Sequence, residues 1–128
     1  MEKMLSLASA AGCRPDNLVC DDDLAGGRPG PVMMYLCFAD LAVYPPETVI
    51  KVDNIIPGIA EARAANCVTV GISLTGNYVG LSEANVMALP EPKRNRLNED
   101  AARKLRDVGA DYVIDIVAAL PALIDGLQ

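Results

Sequence analysis

The sequence contains no histidine and no tryptophan, and it has a single phenylalanine among its 128 residues. Without histidine, a Ser-His or Cys-His catalytic pair is excluded, and so are most zinc sites, because imidazole is one of their usual ligands. Basic residues are also few: 11 Lys and Arg stand against 17 Asp and Glu, so the formal net charge is −6. Because phosphate contacts require clustered basic side chains, this balance argues against nucleic-acid binding.

Cysteine motifs and long apolar runs are missing as well. The four cysteines, at positions 13, 20, 37 and 67, form no Cys-x-x-Cys pair, so we expect reduced thiols that pack as small buried hydrophobic side chains. No apolar run reaches the ~18–20 residues that a membrane span requires, and residues 4–8 are too polar and too few for a secretory signal. We therefore expect a cytoplasmic protein that does not bind membranes.

What the sequence does have is a hydrophobic share of 52%, which is enough for the core of one domain over residues 1–128. Apolar spacing and Gly/Pro breakers predict helices and strands in near alternation. Such alternation is typical of an α/β protein, here a three-layer α/β/α fold with a Rossmann-like parallel sheet. The predicted elements, in order, are helix 2–11, strand 17–20, helix 31–42, strand 48–52, helix 57–65, strand 68–72, helices 82–89 and 92–108, strand 112–114 and helix 119–126.

Two polar segments are predicted at the carboxyl ends of strands, where α/β proteins usually bind ligands. The first is the Gly- and Pro-rich loop around Arg28, and the second is Asp53-Asn54. Each also has a purely structural interpretation. Arg28 can pair with the acidic residues at 21–23, and Asp53 or Asn54 can cap the helix that Pro57 opens.

The segments around these residues carry a family resemblance. The sequence reads GRPGP at 27–31, LAVYP at 41–45 and KVDNIIPGI at 51–59, followed by VTVGI at 68–72, TGN at 75–77, VGLS at 79–82 and GADYVID at 109–115. In order and spacing these segments resemble phosphonoacetaldehyde hydrolase (phosphonatase), a family of the haloacid dehalogenase superfamily. The resemblance extends over essentially the whole chain and concerns the C-terminal half of that enzyme.

The resemblance implies an incomplete core without a cap domain. In the family, the other half carries the nucleophilic aspartate, the Schiff-base lysine of the cap and a Ser/Thr phosphate-binding motif, and none of these has a counterpart in the 128 residues. The resemblance identifies Arg28 as a phosphate-binding residue and Asp53-Asn54 as the Mg²⁺ motif. Asn54 stands where the family usually has a carboxylate, so we expect Mg²⁺ binding to be weak or absent.

Three functional hypotheses follow from the resemblance. The first is a catalytically silent, self-associating fragment of a phosphonatase-like hydrolase. The second is one half of a split phosphonatase that cleaves the C–P bond with Mg²⁺ once a second chain supplies the missing half. The third is a non-enzymatic module that binds anions or self-associates.

Self-association is expected because the family places two core strands between those that 17–20 and 48–52 resemble. Without them, 17–20 must pair directly with 48–52, or a second copy must fill the gap. The helix predicted at 31–42 is apolar nearly all round and should be buried against another layer or a partner. We therefore expect a homodimer with helix 31–42 or a strand edge at its interface.

Overall fold

The computed structural model describes residues 2–20, 24 and 26–128. The chain forms helices α1 (Glu2–Ala10) and α2 (Val32–Leu41), strand β1 (Ile50–Asp53), helix α3 (Ile56–Ala64), strand β2 (Val68–Ile72), helices α4 (Glu83–Met87) and α5 (Glu91–Asp107), strand β3 (Tyr112–Ile114) and helix α6 (Leu120–Leu127), with short 3-10 turns at Pro46–Thr48 and Val117–Ala119. Most of these bounds lie within one or two residues of those predicted, which is the usual uncertainty of element ends.

The three strands form one parallel sheet in the order β1-β2-β3. Ile50 lies opposite Val68 in the first pair, and Ile72 lies opposite Ile114 in the second. Parallel neighbours require crossover connections, and helices α3 and α5 occupy these connections. The predicted α/β class with a parallel sheet is therefore confirmed.

The core lies between the sheet and the helices α3 and α5. Ile59 of α3, Val70 of β2 and Leu105 of α5 are fully buried. Leu105 packs so closely on β2 that a Cβ added at Gly71 would lie only 3.0 Å from its Cδ1 atom. Glycine at this position therefore lets α5 approach the sheet.

The strand predicted at 17–20 is wrong: the chain there has no regular secondary structure. Asn17 instead donates to Asp40 (3.2 Å), and the backbone N–H of Leu18 donates to the Asn17 side chain (2.8 Å). A strand needs a neighbour to pair with, and this segment has none within the described residues. The direct pairing of 17–20 with 48–52, which was one expected way to cover the edge of β1, is therefore not formed in the described residues.

Helix α2 is only partly covered. Met34 packs with Ala62, Ala65 and Cys67 in one core cluster, so α2 rests against the last turns of α3. The layers of this chain do not cover the whole helix, because four large side chains are exposed on it: Val32, Tyr35, Leu36 and Leu41. Their burial against a partner stays a prediction. Within the described residues, no helix is long and apolar enough to cross a membrane.

All four cysteines are free. Cys67 is buried, as expected for a small hydrophobic side chain, and burial raises the pKa of its thiol. Cys20 and Cys37 are half-buried. Cys13 is exposed, because it follows α1 in a segment that contacts little of the core, so the expectation that it is buried is wrong.

Candidate functional site

Asp53 is the last residue of β1, and the chain turns around its carboxylate. Oδ1 of Asp53 accepts hydrogen bonds from the backbone N–H groups of Asn54 (2.8 Å) and Ile55 (3.1 Å). Helix α3 then begins with Ile55 as its N-cap and without a side-chain cap. The structural interpretation that Asp53 or Asn54 caps this helix is therefore wrong, and Asp53 instead fixes the turn that leads into it.

Gly58 allows the first turn of α3 to lie against Asp53. A Cβ atom at position 58 would overlap the Asp53 carboxylate. A side chain there would push the helix away from the strand end, so glycine is required by this close approach.

Lys51 joins the strand to the helix. Its Nζ atom donates to Oε2 of Glu61 (2.7 Å), to Oδ2 of Asp53 (3.1 Å) and to the carbonyl oxygen of Gly58 (2.9 Å). Lys51 and Asp53 lie on the same face of β1 because side chains alternate along a strand. The ammonium group therefore shares its charge between two carboxylates.

Glu61 is the most deeply buried charged residue of this group. Its side chain is 1% exposed, and its Oε1 atom is the one buried side-chain oxygen or nitrogen in the described part of the chain without a hydrogen-bond partner. Buried carboxylates are expensive unless they are paired. Its Oε2 atom meets this requirement through Lys51 and Arg28.

Arg28 approaches the same carboxylates from the Gly- and Pro-rich loop. Its Nε atom lies 3.3 Å from Oε2 of Glu61, and its Nη1 atom lies 3.9 Å from Oδ2 of Asp53. With a side chain that is 41% exposed, Arg28 is more accessible than Lys51 at 13%. The alternative pairing of Arg28 with residues 21–23 falls outside the described residues.

An open pocket of about 440 Å³ lies at this end of the sheet. It contains all three residues singled out in the sequence, and its lining is Arg28, Val52, Asp53, Asn54, Ile72, Thr75 and Val117. The structure thus brings Arg28, Asp53 and Asn54 to one place: Asp53 ends β1, as expected for a parallel strand, whereas Arg28 arrives from the Gly- and Pro-rich loop with no strand at 17–20 before it. Their roles in binding stay predictions.

The loop that carries Thr75 is held by polar contacts from β3 and α5. The N–H groups of Leu74 and Thr75 donate to the Asp115 carbonyl oxygen (3.0 and 3.2 Å). Ser73 donates its hydroxyl to Asn98 (2.6 Å), and the Asn98 amide donates to the Asp115 carboxylate (2.8 Å). These contacts fix the wall of the pocket opposite Arg28.

Mg²⁺ does not fit the residues that this pocket provides. Asp53 is the single carboxylate in its lining, and one of its oxygens already contacts Lys51. The neighbouring Asn54 is neutral, so Asp53 would be the single charged ligand, and its other oxygen already accepts two backbone N–H bonds. Among the described residues, no three His, Cys, Asp or Glu side chains are placed to hold a metal ion.

Lys51 and Glu61 are the site residues that sequence reasoning missed. Two signals were available: Lys51 shares a strand face with Asp53, and Glu61 lies one turn after Gly58 on α3. Neither signal predicts that a glutamate would be buried, since charged side chains are seldom buried without a specific partner.

What the pocket can do follows from its charges. Arg28 and Lys51 carry two positive charges, and Asp53 and Glu61 carry two negative ones. The cluster is therefore neutral, and its exposed member at the pocket is the guanidinium of Arg28. A guanidinium with free donors is suited to bind phosphate-like anions.

Comparison with known proteins gives consistent results over the full length of the chain. It is 40% identical over 129 residues to a phosphonoacetaldehyde hydrolase from Syntrophobacter fumaroxidans, covering 100% of this chain and 46% of the relative. Against the Paraburkholderia xenovorans enzyme of the same name, identity is 39% over 128 residues, with coverage of 100% and 48%. The chain thus spans about half the length of the curated relatives that it matches. No protein-family profile matches the chain.

Solved structures agree. A phosphonoacetaldehyde hydrolase-like protein from Oleispira antarctica superimposes with a TM-score of 0.95 at 36% identity, covering 99% of this chain and 46% of the other. A haloacid dehalogenase-like protein of unknown function from Agrobacterium tumefaciens, at 23% identity and a TM-score of 0.69, shares the fold. Over its whole length, this chain is similar to phosphonoacetaldehyde hydrolases of the haloacid dehalogenase superfamily, and it matches their C-terminal half.

Proposed function

We propose that this chain is the anion-binding half of a phosphonatase-like site and that it is catalytically silent by itself. The observation that carries the proposal is the placement of Arg28, whose guanidinium borders the pocket at the carboxyl end of the sheet. The family similarity makes a phosphonate or phosphate group the expected ligand.

Catalytic silence is supported by the contacts of Asp53. One of its oxygens accepts two backbone N–H bonds, and the other accepts from Lys51. These three donors stabilise the negative charge of the carboxylate, which reduces its nucleophilicity. The nucleophilic aspartate that the resemblance implies belongs to the other half of the family's enzymes.

The first experiment measures acetaldehyde release from phosphonoacetaldehyde in the presence of Mg²⁺. We expect no turnover above a protein-free blank. Turnover that co-purifies with the monodisperse protein and disappears in Asp53→Ala would contradict catalytic silence.

The second experiment measures binding of inorganic phosphate by ³¹P NMR titration. We expect Arg28→Ala to weaken binding, because it removes the exposed cation of the pocket. Arg103→Ala is the matched control, since Arg103 pairs with Asp100 on the exposed surface of α5 (3.0 Å). If both variants bind phosphate as the unmodified chain does, Arg28 is not the ligand.

A split phosphonatase is the second candidate, and the free edge of β1 favours it. The N–H of Val68 donates to the carbonyl oxygen of Val49. In a parallel pair this alternation directs the backbone groups of Ile50 and Val52 away from β2. An additional strand beside β1 would reach the edge of the pocket, which is where a nucleophile would be needed.

The test of this candidate is complementation. The N-terminal half of the Syntrophobacter fumaroxidans relative is mixed with this chain in the presence of Mg²⁺, and acetaldehyde release is measured. We expect activity only in the mixture and its loss with Arg28→Ala. A mixture that forms a complex without releasing acetaldehyde would reject the split enzyme and favour the silent fragment.

Weak Mg²⁺ binding is also proposed, because Lys51 and Arg28 place two positive charges beside the single carboxylate of the pocket. Calorimetric titration of the chain with Mg²⁺ should give no saturation in the micromolar range. Asn54→Asp adds a second carboxylate and should strengthen whatever binding exists. Micromolar affinity of the unmodified chain would contradict this proposal.

Homodimer formation is proposed from the exposed apolar side chains of α2, of which Tyr35 and Leu36 are the central pair. Met34 is unsuitable as a probe, because it is buried in the core cluster. We expect sedimentation to give a dimer and Tyr35→Glu to shift it to a 13.5 kDa monomer. A stable monomer of the unmodified chain at micromolar concentration would overturn the dimer.

A reducing cytoplasm is the proposed location, supported by the four free cysteines.

A further inference from the structure

We propose that Glu61 is an internal competitor for Arg28, so that an anion entering the pocket must displace Arg28 from this carboxylate before it binds fully. The inference rests on the proposed anion site and concerns what regulates its affinity. Glu61 is a buried residue of α3 outside the pocket lining. It thus controls the availability of Arg28, which is an exposed residue of the pocket.

The distances show that Lys51 lies closer than Arg28 to both carboxylates of the cluster. Lys51 lies 2.7 Å from Glu61 and 3.1 Å from Asp53, whereas Arg28 lies 3.3 Å and 3.9 Å from the same two residues. Arg28 is also the more exposed of the two cations. Lys51 therefore fixes the carboxylates, and Arg28 is the cation that is free to move.

The Arg28–Glu61 pair is also incomplete. A guanidinium can serve both oxygens of a carboxylate through a planar fork. Arg28 contacts Oε2 alone, and Oε1 remains without a donor. Releasing Arg28 thus breaks one long contact rather than a bidentate pair, which makes exchange with an external anion feasible.

Because the cluster is neutral, the competition between Glu61 and an anion for Arg28 determines how strongly the anion binds. With two cations and two carboxylates, the cluster has no net charge, so an arriving phosphate is attracted by the exposed Arg28 alone. Removing the charge of Glu61 leaves Arg28 with one carboxylate neighbour and gives the cluster a net positive charge. A role confined to stability would lower or preserve phosphate affinity in the variant, whereas competition for Arg28 raises it.

The test is a ³¹P NMR titration with inorganic phosphate at fixed pH and ionic strength. We expect Glu61→Gln to bind phosphate about three- to fivefold more tightly than the unmodified chain, the scale of a partly exposed ion pair. Glu99→Gln is the matched control: it removes the same charge from the exposed Glu99–Arg106 pair (3.1 Å) on α5 and should leave affinity unchanged. Glu61→Asp keeps the charge and should not tighten binding.

Each outcome decides the matter. Unchanged or weaker binding by folded Glu61→Gln, with phosphate bound by the unmodified chain, overturns the competition and leaves the anion site intact. Absence of phosphate binding in both proteins overturns the anion site and the inference together. Binding by Glu61→Gln alone supports competition strongly.

A second pair of variants covers the case in which Glu61→Gln does not fold. Lys51→Met should weaken phosphate binding, because Glu61 and Asp53 then depend on Arg28 alone. Lys51→Met/Glu61→Gln removes both buried charges and should bind more tightly than Lys51→Met. Equal affinities of the single and the double variant would overturn the proposal.

Discussion

Residues 2–41 and residues 46–128 bury very different shares of their apolar side chains. Of the thirteen buried hydrophobic residues in the described chain, only Met33 and Met34 precede residue 45. In the first region, Met4 and Leu7 are 71% and 66% exposed, whereas Ile59 and Leu105 of the second region are fully buried. The sheet region therefore carries its own core, whereas the N-terminal region buries few apolar side chains within the described residues.

The charged cluster joins the two regions. Arg28 belongs to the first, and Lys51, Asp53 and Glu61 belong to the second. Apart from these ion pairs, α2 is attached through the small cluster around Met34. An anion that draws Arg28 away thus weakens one of the few links between the two regions.

The largest expected effect contrasts two leucines. Leu105→Ala removes a fully buried side chain and should lower the free energy of unfolding by about 2–5 kcal/mol. Leu7→Ala lies on exposed α1 and should change it by less than ~0.5 kcal/mol. Urea unfolding measures both. Similar losses for the two variants would show that the N-terminal region has a core of its own.

A second contrast uses two glycines. Gly58→Ala introduces a Cβ that overlaps the Asp53 carboxylate, so it should destabilise the protein by about 1–3 kcal/mol and weaken phosphate binding. Gly126→Ala in α6 meets no atom within 4 Å, and it should be neutral or stabilise by up to about 1 kcal/mol. Urea unfolding and phosphate titration of both variants test this. An unchanged Gly58→Ala would mean that α3 does not need to lie so close to β1.

A third prediction concerns acid stability of the sheet region. Partial burial acts to raise the pKa of Asp111, but hydrogen bonds from the Thr69 hydroxyl (2.7 Å) and N–H (2.8 Å), together with Arg63, outweigh it and hold the pKa below its ordinary value of 3.8. A carboxyl whose pKa is lower in the folded state stabilises the fold above the unfolded-state pKa. That stabilisation is lost as the pH falls through the folded-state value.

Asp111→Asn should therefore flatten the decline of the melting temperature between pH 5 and pH 2.5 and leave phosphate binding at neutral pH unaffected. The effect is modest, because the Asp111 side chain is 38% exposed and solvent screens it. Thr69→Val should reproduce part of the flattening, since it removes one of the donors. An acid decline as steep in Asp111→Asn as in the unmodified chain would contradict the assignment.

The smallest expected effect is in thiol reactivity. Cys13 in the N-terminal region is exposed, whereas burial raises the pKa of the Cys67 thiol in the sheet region. Under native conditions, a chromogenic disulfide reagent should modify Cys13 first and Cys67 only on unfolding. Cys13→Ser should remove the fast phase without changing stability measurably. A fast phase that survives this substitution would come from another thiol, such as half-buried Cys20 or Cys37, and would contradict the assignment to Cys13.

The same contrast explains which predictions from sequence were correct. Strand β2 and helix α5 were predicted closely, because β-branched residues and a regular apolar stripe report burial within this chain. The strand at 17–20 was not, although its residues are equally apolar, because a strand also requires a neighbour. An apolar composition indicates that a segment will be buried. It does not indicate which other segment or chain will bury it.

The residues of the candidate site also divide into those that were predicted from the sequence and those that were missed. Arg28 and Asp53 were predicted together from the rule that parallel strands end at one edge, and they do lie together, although the strand expected before Arg28 does not form. The link through Lys51 and Glu61 was missed, since it depends on how closely α3 lies against β1 at Gly58. Side-chain contacts between elements follow from packing distances, which periodicity does not contain.

The all-parallel sheet also sets an order for folding. It contains no hairpin, so every strand pairing must close a long segment: Ile50 and Val68 are 18 residues apart, and Val70 and Tyr112 are 42 apart. In an unstructured chain the longer closure costs about 0.8 kcal/mol more, and such distant pairings slow folding. The unit β1–α3–β2 is therefore expected to assemble first, with the outer edge of β2 unpaired until β3 docks. During that interval, β2 can pair with a strand of another chain in place of β3.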